Sequence, residues 1–213
     1  MAPNAQQAGR NLWALFIWAY RVAIAGFSGW YTYYSLSVFH DWNFVSNFAF
    51  LTQCTALLVF VYYAAWAIRA LLNGVRKVAD FPAEIRGFIV LLAAMVGIIF
   101  NALLGPAEIW PSKVSHIIIP VLVVGDWLVC RTNQHRLRPW VPLTWLVPIV
   151  VYLGYYIWFS TSGGYAPPYP FLDPSASDFL RWVAILALAF LAGGYVVYGV
   201  GKIGARAGRA RTR

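Results

Sequence analysis

"FIVLLAAMVGIIFNALL", residues 88–104, contains no charged side chain and a single polar one, Asn101. With the two residues before it, this run reaches the roughly 20 mainly apolar residues that a helix needs to cross a bilayer. Working outward, five more segments read the same way: 12–35 and 46–72 on the N-terminal side, and 112–130, 141–160 and 178–201 on the C-terminal side. None shows the ten-residue alternation of a barrel strand, and a bilayer forces each spanning segment to pair its backbone groups internally. The reading predicts an all-α integral membrane bundle of six transmembrane helices, the segment 86–104 being the third.

Composition agrees with that class. Hydrophobic residues make up 61% of the 213-residue chain and charged residues 11%, against about 45–50% and 25% for soluble domains. No polar or low-complexity linker divides the chain, so residues 1–213 are expected to form a single membrane domain. The first apolar segment is too long for a removable signal peptide and lacks a small-residue cleavage site. Cys54 and Cys130 fall in segments expected near opposite membrane faces, beyond the reach of a disulfide.

Basic residues set the expected orientation. An inside N-terminus brings Arg10, Arg69, Arg76, Lys77, Arg86, Arg131, Arg136, Arg138 and the tail 202–213, "KIGARAGRARTR", to the cytoplasmic ends, and leaves Lys113 and Arg181 outside. Both termini are then cytoplasmic. The net charge of +9 fits this topology and attraction to anionic lipid. No nucleic-acid-binding module or aromatic–basic stacking surface accompanies it, so no nucleic-acid partner is expected. Trp30, Tyr31, Trp42, Trp110, Trp140, Tyr155 and Trp158 are expected in the interfacial belts. Gly26, Gly29 and the Ala189/Gly193 pair allow close helix approach.

Ionisable groups inside a membrane are costly and few. Arg21 lies near the middle of the first span and Asp126 in the inner half of the fourth, where a facing pair would offset the desolvation of both charges. With Asn101 they also offer a polar path, the basis of a transporter or non-enzymatic lipid-binding reading. In the outer half, Thr52, expected about two turns into the second span, and His116, about one turn into the fourth, share a depth. Pro120 has no N–H for the His116 carbonyl, so a bend beside the histidine and an unpaired carbonyl are expected. A neutral imidazole near a threonine hydroxyl can take its proton as the oxygen attacks an ester. Thr55, one turn below, offers the same hydroxyl. No Cys/His/acid cluster has ligand spacing, His40 and Asp41 lacking partners, so no metal or other cofactor is expected.

Three stretches occur in an order that resembles a known family: "FLT" at 50–52, "SHIIIP" at 115–120 and "YPFL" at 169–172. The chain is similar to the androgen-induced protein and the androgen-dependent TFPI-regulating protein, multi-pass membrane hydrolases of fatty acid esters of hydroxy fatty acids, and looks closer to their bacterial six-span relatives. The resemblance implies a lipid ester hydrolase in a bacterial inner membrane, with Thr52 as nucleophile, His116 as base, and membrane lipids as partners. The chain departs from the family pattern at Ser115, where a second histidine is expected, in the three residues between His116 and Pro120, and at Asp173, where the family has glutamate.

The segment "GGYAPPYPFLDP", 163–174, is expected outside. Pro167, Pro168 and Pro170 restrict its backbone, so that Tyr169 and Phe171 turn back onto the helix ends as a lid or plug. Asp173 is placed to orient His116.

Overall fold

The computed structural model describes residues 5–75, 78, 80–130, 132–162 and 165–210, with the side chains of residues 5, 6, 10 and 204–210 excepted. Arg76, Lys77, Arg131, Gly163, Gly164, Arg211 and Arg213, and the side chains of Arg10, Arg206 and Arg209, therefore lie outside the described residues. Among the described residues, six helices are long and apolar enough to span a membrane: α1 (Gln7–Phe39), α2 (Leu51–Asn73), α3 (Ala83–Leu104), α4 (Trp110–Val129), α5 (Val141–Ser162) and α6 (Phe179–Ile203). The chain is an integral membrane protein of the all-helical class. An even number of spans brings the two chain ends to one end of the bundle, here the terminal end; the opposite one is the loop end.

The most apolar span is also the central one. α3 has the highest mean hydropathy, 2.5, and Ile89, Val90, Leu91, Leu92 and Ala93 are buried in succession, so its middle is covered on all sides. It packs against α2, α4 and α6, while α1 closes the bundle against α2 through Ile24, Tyr31, Val59 and Tyr63. Gly193 of α6 lets Leu91 approach, since a Cβ there would sit 2.9 Å from its side chain. α5 is peripheral. It meets α6 chiefly through its first turn, Val141–Thr144, and touches it sparsely beyond.

Several local features differ from the sequence expectation. The second span does not run on from residue 46. A one-turn helix, Phe44–Phe48, capped by the Asn43 side chain on the Ser46 N–H at 3.0 Å, ends at Ala49, and α2 starts anew after an extended Phe50. Thr52 thus lies in the first turn of α2, not two turns inside it. His116 lies about two turns into α4, which begins at Trp110. Tyr31 is 4% exposed, a core residue and not part of an interfacial belt. Trp30, Trp42, Trp110, Trp140 and Trp158 are exposed.

Three π-turns gather at the loop end: Ser35–Phe39 closing α1, Phe100–Leu104 closing α3, and Val114–Ile118 early in α4. Such turns in otherwise α-helical spans recur at functional sites.

Candidate active site

Thr52 is positioned by an unusual cap. Helix geometry leaves the first N–H groups of α2 without intrahelical acceptors, and Phe50, at the N-cap, offers no side-chain oxygen. The Tyr169 hydroxyl takes that role, accepting the Leu51 N–H at 2.9 Å. Its ring packs edge-on against Phe50, and its hydroxyl also reaches Tyr152 and Thr52. Burial pushes that hydroxyl above the usual tyrosine range, so it stays neutral. The Tyr156 hydroxyl donates to the Tyr169 carbonyl at 3.2 Å, and the Tyr152 hydroxyl to the Ala49 carbonyl at 2.7 Å, tying the 165–172 loop and the start of α2 to α5.

His116 stands opposite, in the π-turn of α4. Its Nε2 is 3.3 Å from Thr52 Oγ1, the long end of a hydrogen bond. Its Nδ1 is 3.0 Å from the Ser112 carbonyl and 3.0 Å from Ser115 Oγ. A carbonyl only accepts, so Nδ1 bears the proton and Nε2 turns its lone pair toward the threonine. Phe100 stacks on the imidazole with ring centroids 3.5 Å apart. His116 is 8% exposed, stacked on one face by Phe100 and held at both nitrogens.

Pro120 acts as expected in withholding a donor, but the His116 carbonyl is not left unpaired. Asn101 Nδ2 donates to it at 3.4 Å, and to the Gly97 carbonyl at 2.8 Å. Gly97 makes that approach possible: a Cβ there would lie 3.1 Å from the His116 carbonyl oxygen and 3.2 Å from the Pro120 ring. Asn101 is therefore a partner for broken helix backbone.

A cavity of about 170 Å³ opens beside Thr52, walled by Val96, Ile99 and Phe100 of α3, by α5 and α6, and by Tyr169, Phe171 and Leu172 of the loop. Thr52 lines it, whereas Thr55 is 3% exposed and its hydroxyl has no partner among the described residues. The geometry brings Thr52, His116 and Tyr169 together. Asp173 is elsewhere: its carboxylate accepts the Ser175 N–H at 2.9 Å and hydroxyl at 2.7 Å, which hold it below the usual carboxylate range. The Ser112 carbonyl orients His116 in place of Asp173. Pro170 and Phe171 form a single 3-10 turn with Leu172, and Phe171 packs on Trp182. No group of three or more histidines, cysteines or acids that could hold a metal occurs among the described residues.

Arg21 and Asp126 do pair, at 2.8 Å, but in larger company. Arg86 lies 2.6 Å from Asp126, and Asp80 pairs with Arg21. Tyr63 donates to Asp126 at 3.1 Å, and Arg86 to the Cys130 and Asp126 carbonyls at 2.8 Å each. Arg86 is fully buried, not an exposed helix-end charge. Ten residues of helix, about 15 Å, separate Asp126 from His116, and buried Ile119 and Val123 lie between them.

The chain matches no family model, no curated protein and no solved structure.

Proposed function

We propose that the protein is a threonine-dependent hydrolase of lipid esters, acting in the bilayer with Thr52 as nucleophile and His116 as general base. The observation that carries this reading is the approach of the lone-pair nitrogen of His116 to Thr52 Oγ1, with Nδ1 held by the Ser112 carbonyl, at the wall of an apolar cavity. As Oγ1 attacks the ester carbonyl, Nε2 takes its proton, then returns it to the departing alcohol. An acyl-threonine remains. Water, deprotonated by the same nitrogen, cleaves it to release the acid and restore Thr52.

Negative charge on the carbonyl oxygen needs donors. The N–H groups of Thr52 and Gln53 have no intrahelical acceptor and stand at the positive end of the α2 dipole. This arrangement suits the tetrahedral intermediate. The resemblance carried by "FLT", "SHIIIP" and "YPFL" supports the same roles, and with it we place the protein in a bacterial inner membrane, both termini cytoplasmic by the basic-residue asymmetry.

Ester turnover by purified protein in detergent or vesicles tests the reading. Thr52→Ala and His116→Ala should each abolish hydrolysis of long-chain esters without changing the thermal melt. Unaltered turnover in Thr52→Ala would exclude the mechanism. Lipid binding with no turnover in the wild type would favour a non-enzymatic lipid-binding protein.

A further inference from the structure

The cavity beside Thr52 is roofed toward the loop end and flanked by residues exposed on the outside of the bundle. Tyr169, Phe171 and Leu172 form the roof, with Phe171 held against Trp182 and Tyr169 tied to the Leu51 N–H. Its flanks come from Ile149, Val150 and Leu153 of α5 and from Leu186 and Ala187 of α6. Val150 is 65% exposed, and Ala187 is exposed as well, although both line the cavity. The seam between α5 and α6 is therefore unsealed at that level, the two helices touching only sparsely beyond Val141–Thr144.

We infer that this cavity is an acyl-chain slot entered sideways from the bilayer through the α5–α6 seam, holding one hydrocarbon chain of a membrane-resident lipid with its headgroup end at Thr52. Three features select that occupant. Below Thr52 and Tyr152 the lining is entirely apolar, so a polar solute would lose its hydration without compensation. From Leu153 to Leu146, and from Val183 to Phe190, each wall runs about 10 Å along its helix, a slot parallel to the spans and so to the lipid tails. Its upper end is level with the reactive pair. The ester at Thr52 rests on the hydrolase reading; the slot itself does not.

Photolabelling tests it. The protein is reconstituted in phosphatidylcholine vesicles containing a fatty acid with a mid-chain diazirine, irradiated, and mapped by mass spectrometry. Wild type and Thr52→Ala should both carry label on Val96 or Phe190, which are 6% and 3% exposed and so shielded from bulk lipid. Ala187→Trp and Val150→Trp, each shown by its melt to be folded, should reduce that label several-fold. Label confined to lipid-facing positions such as Val151 and Leu188, or interior label undiminished in both tryptophan variants, overturns the slot. Interior labelling without turnover of any ester keeps the slot and removes the hydrolase. Turnover of a long-chain ester without interior labelling does the reverse.

Discussion

Thr52 and Thr55 stand one turn apart on α2, and only their surroundings separate them. Thr52 faces His116 and the cavity, whereas Thr55 is buried away from both. Thr52→Ser should retain part of the ester turnover because the hydroxyl remains, and Thr55→Ala should retain most of it. The choice was not legible in the sequence, where both hydroxyls occupy one helix face, and the resemblance alone favoured Thr52. Equally hidden was the group that orients the histidine. An acidic residue was the expected partner, but Ser112 lies four residues before His116, one helical turn away, and its main-chain carbonyl serves. Main-chain groups leave no signature in residue identity. Asn101→Leu should destabilise the protein by about 1–3 kcal/mol by orphaning the His116 carbonyl, measured as a lowered melting temperature.

At the scale of the element, the spans themselves were readable from hydropathy, since only apolar runs of sufficient length can pair their backbone and bury their surface in lipid. Their irregularities were not. The break at Ala49–Phe50 carries neither proline nor glycine, yet it places Thr52 in a first helical turn, where N–H groups have no intrahelical acceptor. Tyr169 is the tertiary partner that fixes this start. Tyr169→Phe should cost about 0.5–1.5 kcal/mol and lower kcat more than KM, because it loosens the nucleophile's helix while leaving the apolar roof in place. The crossing of α3 and α4 is equally tight. Gly97→Val should destabilise by about 1–3 kcal/mol through overpacking against His116 and Pro120, while Gly26→Ala, which meets nothing within 4 Å, should be near neutral. Paired melts and turnover measurements decide both comparisons.

Across the whole molecule, the loop end holds the reactive pair and the interior toward the terminal end holds a neutral set of two arginines and two aspartates. The sequence pointed to Arg21 and Asp126 because each interrupts an apolar span. It concealed Asp80 and Arg86, which sit at span ends where charges are ordinary and became interior only through packing. Removing the Asp126 charge leaves two buried arginines to the single carboxylate of Asp80, and Asp126→Asn should cost about 3–5 kcal/mol. Burial raises the Asp80 carboxyl, but the hydrogen bond and charge of Arg21, with Thr132 and Arg86, outweigh it and hold the group below its ordinary value. Its folded form therefore releases the proton more readily than the unfolded form. That stability is fully present above the unfolded value of about 3.9 and is lost as pH falls through the lower folded value. Melts between neutral and acid pH should show a decline that Asp80→Asn flattens. Orientation is tested separately: in a cysteine-free background, Ser175→Cys should react with an impermeant maleimide from outside intact cells, and Asn73→Cys should not.

The central claim is that Thr52, activated by His116, forms a covalent acyl intermediate. Incubating the purified protein with a fluorophosphonate probe bearing a long alkyl chain, then mapping the adduct by peptide mass spectrometry, measures it most directly. The account predicts one adduct on Thr52, absent in Thr52→Ala and strongly reduced in His116→Ala. An adduct on another side chain, equal labelling in Thr52→Ala, or no adduct on the folded wild type would contradict it.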